Sequence, residues 1–91
     1  MIRWLEVSES RYVESLRRIL AVLRAIDGSS SISEIAQRLG WRRATLYTVL
    51  KALESMGLVE LRAVSGVPKK VVPKLTSRGE ELRKCLDKVF T

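Results

Sequence analysis

Apolar residues near the start of the chain recur at the spacing of an α-helix. They lie three or four positions apart between Tyr12 and Ile26, and an aspartate and a glycine follow as stop signals. The pattern predicts a first helix over residues 9–26. Leu5 continues the same stripe, so residues 1–8 either extend this helix or form a short extended arm before it.

Two more helical patterns follow, and a tight turn separates them. The first begins at Ser31, where Glu34 three residues later completes a capping box, and it ends at Gly40. The second covers residues 42–56. Its apolar residues form one stripe: Leu46, Val49, Leu50 and Leu53. A short helix, a turn and a longer helix predict a helix-turn-helix over residues 31–57.

After the third helix the apolar period changes to the alternation of a β-strand. Residues 58–64 alternate, a turn containing Gly66 follows, and residues 69–75 are predicted to return as a second strand. Pro73 has no amide hydrogen to donate, so this second strand lies at an edge or is bulged near its end. The pattern predicts a hairpin, or wing, over residues 58–75.

A last helix over residues 76–90 closes the pattern, with Thr76 as its N-cap. Its apolar side holds Leu82, Cys85, Leu86 and Val89. The whole chain, residues 1–91, is predicted to be one mainly α domain with a small β-hairpin (α+β). The order helix, helix, helix, strand, strand, helix, with a possible very short strand before the second helix, is that of a winged helix-turn-helix.

Basic residues are concentrated in the middle of this pattern. The formal net charge is +7, and residues 38–74 carry +6 of it, with eight bases against Glu54 and Glu60. A concentrated basic patch is the electrostatic footprint of a nucleic-acid-binding protein. The third helix also carries small, polar or basic residues opposite its apolar stripe. The predicted DNA-binding residues are Arg42, Arg43, Ala44, Thr45, Tyr47, Thr48, Lys51, Arg62, Lys69 and Lys70.

Arg42 and Arg43 stand at the start of the third helix, where the positive end of the dipole disfavours cations by about 0.3–1 kcal/mol each. That end would point at DNA in a winged helix, so we expect both side chains to contact phosphates. The residues expected to recognise the DNA sequence lie at the centre of the groove-facing side of this helix: Ala44, Thr45, Thr48 and Lys51.

Several of these residues also have a purely structural interpretation. A polar helix face is what any solvated helix shows, and the ring of Tyr47 is compatible with packing against the wing. Trp41, in the turn, is better explained by filling the gap between helices than by stacking on a base. Lysines on an exposed edge strand also prevent aggregation between edges.

The stretch ISEIAQRLGWRRATLYTVLKALESMGLVE resembles the winged helix-turn-helix of the MarR and PadR families of transcriptional regulators. After the hairpin, LTSRGEEL is similar to the end of a PadR wing, so the resemblance runs from Ile32 to Leu86. It implies a regulator that binds double-stranded DNA sequence-specifically, usually as a homodimer joined by helices outside the winged core. The implied interface residues are Leu5, Tyr12, Leu16, Leu86, Val89 and Phe90.

The sequence also departs from that family pattern. Arg42 stands where serine often caps the helix, Thr48 where arginine is frequent, and Gly66-Val67 where PadR wings have glycine and arginine. Base-specific contacts therefore cannot be transferred from the family. A non-specific architectural or chromatin DNA-binding protein and a winged helix used for protein–protein contact stay open as alternatives.

Other classes of function have little support. The chain has no histidine and one cysteine, so neither a catalytic acid–base set nor a metal site is expected, and no cofactor is predicted. The absence of a long apolar run or a signal peptide predicts a cytoplasmic protein that does not bind membranes. Whether a small-molecule effector exists is left open.

Overall fold

A computed structural model describes the backbone of residues 2–66 and 70–90 and the side chains of residues 12–66 and 70–90. Its elements are α1 (Ile2–Ala25), α2 (Ile32–Leu39), α3 (Arg43–Ser55), β1 (Val59–Val64), β2 (Lys70–Leu75) and α4 (Ser77–Val89). This order confirms the predicted winged helix-turn-helix of the α+β class. Residues 26–31, between α1 and α2, contain no strand, so the very short strand considered before α2 does not form.

The first helix is longer than the range predicted from its apolar stripe. It begins at Ile2 and has 24 residues, which makes it about 36 Å long. Two alternatives were open for residues 1–8. Residues 2–8 belong to the first helix and do not form a separate arm before it. Every side chain from Tyr12 to Arg18 is exposed, whereas Leu20, Val22 and Leu23 are buried. Among the described side chains of α1, the buried ones thus lie in its C-terminal part, from Leu20 onward.

A single apolar cluster connects α1, α2, α3, β1 and α4. Its buried members are Leu20, Val22, Leu23, Ile26, Ile32, Ile35, Ala36, Leu46, Leu50, Leu53, Val59 and Leu86. The predicted stripe of α3 is confirmed, with Val49 half-buried at its edge. Trp41 is also half-buried and packs against the cluster, which confirms that it fills the gap between helices.

The predicted apolar side of α4 is wrong for two residues. Cys85 and Val89 are exposed, although the sequence placed them beside Leu82 and Leu86. The reason is geometric: α4 contacts the core along Leu82, Leu86 and Phe90, and Cys85 lies about 100° around the helix from Leu86. Val89 lies in the last turn of α4, and its side chain is 64% exposed.

Hydrogen bonds to Asp27 organise the connection from α1 to α2. Its carboxylate accepts from the amides of Ser29 and Ser30 at 2.9 and 2.8 Å, and from the Ser30 hydroxyl at 2.9 Å. These bonds hold the pKa of Asp27 well below its usual range, the Ser29 amide having the largest effect. The predicted capping box follows directly: Ser31 Oγ accepts from the Glu34 amide, and Glu34 Oε1 accepts from the Ser31 amide.

The wing is a two-stranded antiparallel sheet with continuous pairing from Val59↔Leu75 to Val64↔Lys70. Pro73 is buried and lies opposite Leu61. Each strand of a two-stranded sheet is an edge strand. On its outer side β2 has no neighbouring strand, so the missing amide hydrogen of Pro73 costs no hydrogen bond there. The predicted edge position is therefore confirmed, and the alternative of a bulge is not observed.

The start of α4 is fastened to the end of α3 through Thr76. Its amide donates to the carbonyl of Leu58 at 3.1 Å, and its hydroxyl donates to the carbonyl of Gly57 at 2.7 Å. The same hydroxyl oxygen accepts from the amide of Gly79 at 3.1 Å, which confirms Thr76 as the N-cap. Gly79 packs so closely here that a β-carbon would collide with the carbonyl oxygen of Leu58. This close approach explains the glycine in LTSRG.

We expect Gly79→Ala to lower the free energy of unfolding by about 1–3 kcal/mol, because the obstructing atom belongs to the backbone and cannot rotate away. This cost opposes the gain of about 1 kcal/mol in helix propensity that alanine normally brings. Urea unfolding measures the difference. Glu81→Ala, at an exposed position of the same helix, is the control and should change stability by less than about 0.5 kcal/mol. Equal stability of both variants would contradict the close packing.

Candidate nucleic-acid interface

The face of α3 opposite its leucine stripe is exposed and has no acidic residue in its N-terminal half. Ala44 and Thr48 lie on this face and Thr45 lies at its edge, while Arg42 and Arg43 are exposed at the start of the helix, one on each side of the leucine stripe. Lys51 and Tyr47 are exposed as well, Lys51 one turn further along and Tyr47 at the flank. All seven residues that the sequence singled out on α3 are therefore exposed, but Arg42 and Arg43 line different grooves, Arg42 beside α1 and Arg43 beside α2 and the wing.

No side chain caps the start of α3. Arg42 occupies the N-cap with extended backbone angles (φ −69°, ψ 139°), but its side chain makes no capping hydrogen bond, and the first turn has no acid. The amide groups of that turn are therefore not satisfied by a capping side chain, and they carry the positive end of the helix dipole. This end of the helix is electrostatically suited to an anion.

Two side chains on this face have partners within the protein. The Thr48 hydroxyl donates to the carbonyl of Ala44 at 3.0 Å, and Lys51 Nζ lies 3.0 Å from Glu54 Oε1. The hydrogen bond to Glu54 raises the pKa of Lys51. The i,i+3 spacing of Lys51 and Glu54 was a signal for this pair that the sequence analysis did not use. Because the pair is exposed, a phosphate or base competes with Glu54 at little cost.

The wing presents its bases on the side that faces away from the core. Residues Arg62, Lys70 and Lys74 alternate with the core-facing positions of the hairpin, and all three are exposed. Arg62 forms an ion pair with Glu60 at 3.3 Å, so its charge is partly balanced. Lys69, the remaining predicted wing residue, lies outside the described residues.

A groove lies between the wing and the helix-turn-helix. Arg43 at the start of α3 and Lys70 at the start of β2 both line it, together with Ser33 in the first turn of α2. Glu34 lines it too. Ser33 was not predicted from the sequence, because the pairing of α2 with the wing depends on the tertiary fold and leaves no local pattern.

The predicted dimer residues are divided between surface and core. Tyr12 and Leu16 are exposed on α1, and Val13, which the sequence pattern did not single out, is exposed between them. Leu86 differs: its side chain is 6% exposed and belongs to the core of the chain itself, so it has almost no surface for a partner. Phe90 is half-buried, and the Arg17 guanidinium carbon lies 4.8 Å from the centre of its ring. The side chain of Leu5 lies outside those described.

Comparison with known proteins identifies the family. The model of the HxlR-like helix-turn-helix family matches residues 13–91. The chain belongs to this family. The resemblance of its helix-turn-helix to winged helix-turn-helix regulators is thereby confirmed, with HxlR-like as the family that matches.

A curated relative is the HTH-type transcriptional regulator Rv1719 of Mycobacterium tuberculosis, 38% identical over 65 residues. That match covers 71% of this chain and 25% of the relative, so the chain spans about a quarter of the relative's length. The similarity therefore concerns one part of a longer molecule.

Two solved structures share the fold. Diamide-treated YodB from B. subtilis is 27% identical, with a TM-score of 0.64 over 77% of this chain and 70% of YodB. A point mutant of S. aureus MepR bound to an oligodeoxyribonucleotide is 18% identical, with a TM-score of 0.67 over 99% of this chain and 76% of MepR.

The described residues offer no sign of two other kinds of site. No group of three or more histidine, cysteine, aspartate or glutamate side chains among them is placed to hold a metal ion. None of the helices in that part of the chain is both long and apolar enough to cross a membrane.

The uncapped start of α3 generates a stability prediction. Arg42→Ser should raise the free energy of unfolding by about 0.5–1 kcal/mol, because the backbone already has N-cap geometry and serine supplies the missing acceptor. Urea unfolding is again the measurement. Arg43→Ser removes the same charge one residue later, where no cap can form, and should be less stabilising. Equal gains from both variants would mean that charge removal alone is responsible.

Proposed function

We propose that this protein is a transcriptional regulator that binds double-stranded DNA sequence-specifically, with α3 in the major groove. One observation carries the proposal: the exposed face of α3 combines an uncapped, cationic N-terminus with small and hydroxyl side chains. Small residues let the helix backbone approach the groove floor, and the positive helix end favours phosphate. Membership of a helix-turn-helix family supports the same function.

The contacts divide into two classes in this arrangement. Arg42 and Arg43 hold phosphates at the edge of the groove and set the register of α3, while its central residues read base edges. The reading residues are Ala44, Thr45, Thr48 and Lys51, with Tyr47 at the flank. Arg62, Lys69 and Lys70 of the wing contact the backbone or the minor groove, which adds affinity that depends on salt and little on sequence.

A binding titration tests the proposal. Duplexes selected by the protein from a random library should bind at least about a thousand times more tightly than an unselected duplex. The double variant Arg42→Ala/Arg43→Ala should weaken binding to both duplexes. It should also make the negative slope of log Kobs against log salt shallower by about two, since two phosphate contacts are lost. Its thermal midpoint should not fall below that of the unchanged protein, because neither side chain caps the helix and both oppose the helix dipole.

The matched control is Arg78→Ala/Lys84→Ala. It removes the same charge from exposed positions of α4, outside the helix-turn-helix and the wing, and should keep most of the affinity. Equal binding of selected and unselected duplexes would favour an architectural DNA-binding protein instead. No binding to either duplex at low salt would refute both and leave a protein-interaction module.

We further propose that the protein acts as a homodimer through α1 and the end of α4. Tyr12, Val13 and Leu16 form one exposed apolar patch on the part of α1 that extends beyond the core, and Val89 is exposed on α4. Pairing two copies would present two α3 helices to half-sites about 34 Å apart. The proposal includes no cofactor and no catalytic step, and it places the protein in the cytoplasm.

Sedimentation velocity tests the dimer. The unchanged protein should sediment as a dimer at micromolar concentration, and Leu16→Glu should shift it to monomer because the patch then carries charge. Met56→Glu is the control, since Met56 is exposed to 52% against 38% for Leu16 but lies at the end of α3. A monomer for the unchanged protein, or equal behaviour of the two variants, would contradict dimerisation through this patch.

A further inference from the structure

Two methyl groups lie one turn apart on the exposed face of α3, in the side chains of Ala44 and Thr48. The i,i+4 spacing puts their β-carbons about 5–6 Å apart, on the side of the helix opposite the leucine stripe. Lys51 is the next residue on this side, three positions after Thr48. The centre of the face is thus a small uncharged patch, which a helix in the major groove would bring against the base edges.

The hydroxyl of Thr48 is already used within the helix. It donates its proton to the carbonyl of Ala44 at 3.0 Å. A threonine hydroxyl has only one proton, so Thr48 has no donor left for a base, although its oxygen can still accept a hydrogen bond. A methyl group and an acceptor are therefore what this exposed side chain presents to a ligand.

We infer that Thr48, together with Ala44, recognises the methyl group of a thymine in the major groove. The DNA that this protein binds would then contain an A·T pair opposite these two residues. This inference rests on the proposed function and names the base pair that one part of α3 reads. An A·T pair presents both the thymine methyl group and the N6 donor of adenine in the major groove. These two groups match the methyl group and the acceptor of Thr48.

A G·C pair matches the same two side chains less well. Guanine presents two acceptors in the major groove, and Thr48 has no proton to donate to them. Cytosine has no methyl group for Ala44 and Thr48 to contact, so only its N4 donor would be matched. Lys51 differs, because its ammonium has three protons and one carboxylate partner at 3.0 Å, which leaves donors for acceptors elsewhere in the site.

Deoxyuridine is the probe for this contact, because it pairs as thymidine does and lacks only the C5 methyl group. The thymines of a duplex selected by the protein from a random library are replaced one at a time. At one thymine the change should weaken binding of the unchanged protein about three- to fivefold, the effect expected for one methyl group that is no longer buried. Replacement of a thymine outside the footprint of the protein on the same duplex is the control and should have no effect.

Two variants separate the methyl group of Thr48 from its hydroxyl. Thr48→Ser keeps the hydroxyl and removes the methyl group, so its preference for thymine over uracil at the sensitive position should fall below about twofold. Thr48→Val removes the hydroxyl and keeps a methyl group, so it should still prefer thymine about threefold or more. Because Thr48 is exposed, circular dichroism is expected to show thermal midpoints close to that of the unchanged protein for both variants.

A second pair of duplexes tests the methyl group apart from the identity of the base. A C·G pair at the sensitive position should weaken binding of the unchanged protein. Replacement of that cytosine by 5-methylcytosine returns a methyl group to the same edge of the pair and should recover about three- to fivefold of the lost affinity. Thr48→Ser should bind the two duplexes with affinities that differ by less than about twofold.

The outcomes separate this inference from the proposed function. Sequence-specific binding that tolerates uracil at every thymine would overturn the inference and leave the regulator intact. A thymine preference that survives in Thr48→Ser and is lost in Thr48→Val would show that the hydroxyl reads the base, which also overturns the inference alone. Equal binding of selected and unselected duplexes would refute the regulator and the inference together.

Discussion

The burial of three leucines on one side of α3 is the constraint on which the rest of the structure depends. Leu46, Leu50 and Leu53 are each at most 2% exposed, and burying a leucine stabilises a protein by about 1.5–3 kcal/mol. The cost of placing a cation at the start of the helix is about 0.3–1 kcal/mol. Packing therefore decides how α3 is rotated. Because side chains advance about 100° per residue, Ala44, Thr48 and Lys51 must then face solvent on the opposite side of the helix.

Of the three helices whose N-caps the structure describes, α3 alone begins without a capping side chain. The preceding helix begins with a complete capping box at Ser31 and Glu34, and α4 begins with the Thr76 cap. Each such cap contributes about 1 kcal/mol. At α3 the backbone of Arg42 has the extended geometry that a capping serine would use, yet the residue provides no acceptor. The stabilising side-chain cap is thus missing at the helix end that the proposed DNA complex would place against phosphate.

Local patterns predicted most of the fold because they depend on neighbours in sequence. The third helix was expected over 42–56 and is observed over Arg43–Ser55, and the capping box was correct to the residue. The exposure of Cys85, the burial of Leu86 in the core and the contact between Lys51 and Glu54 were missed, since rotation of α4 and side-chain pairing are set by packing. The groove between the wing and the helix-turn-helix was equally inaccessible, because it exists only through the placement of β2 against the starts of α2 and α3.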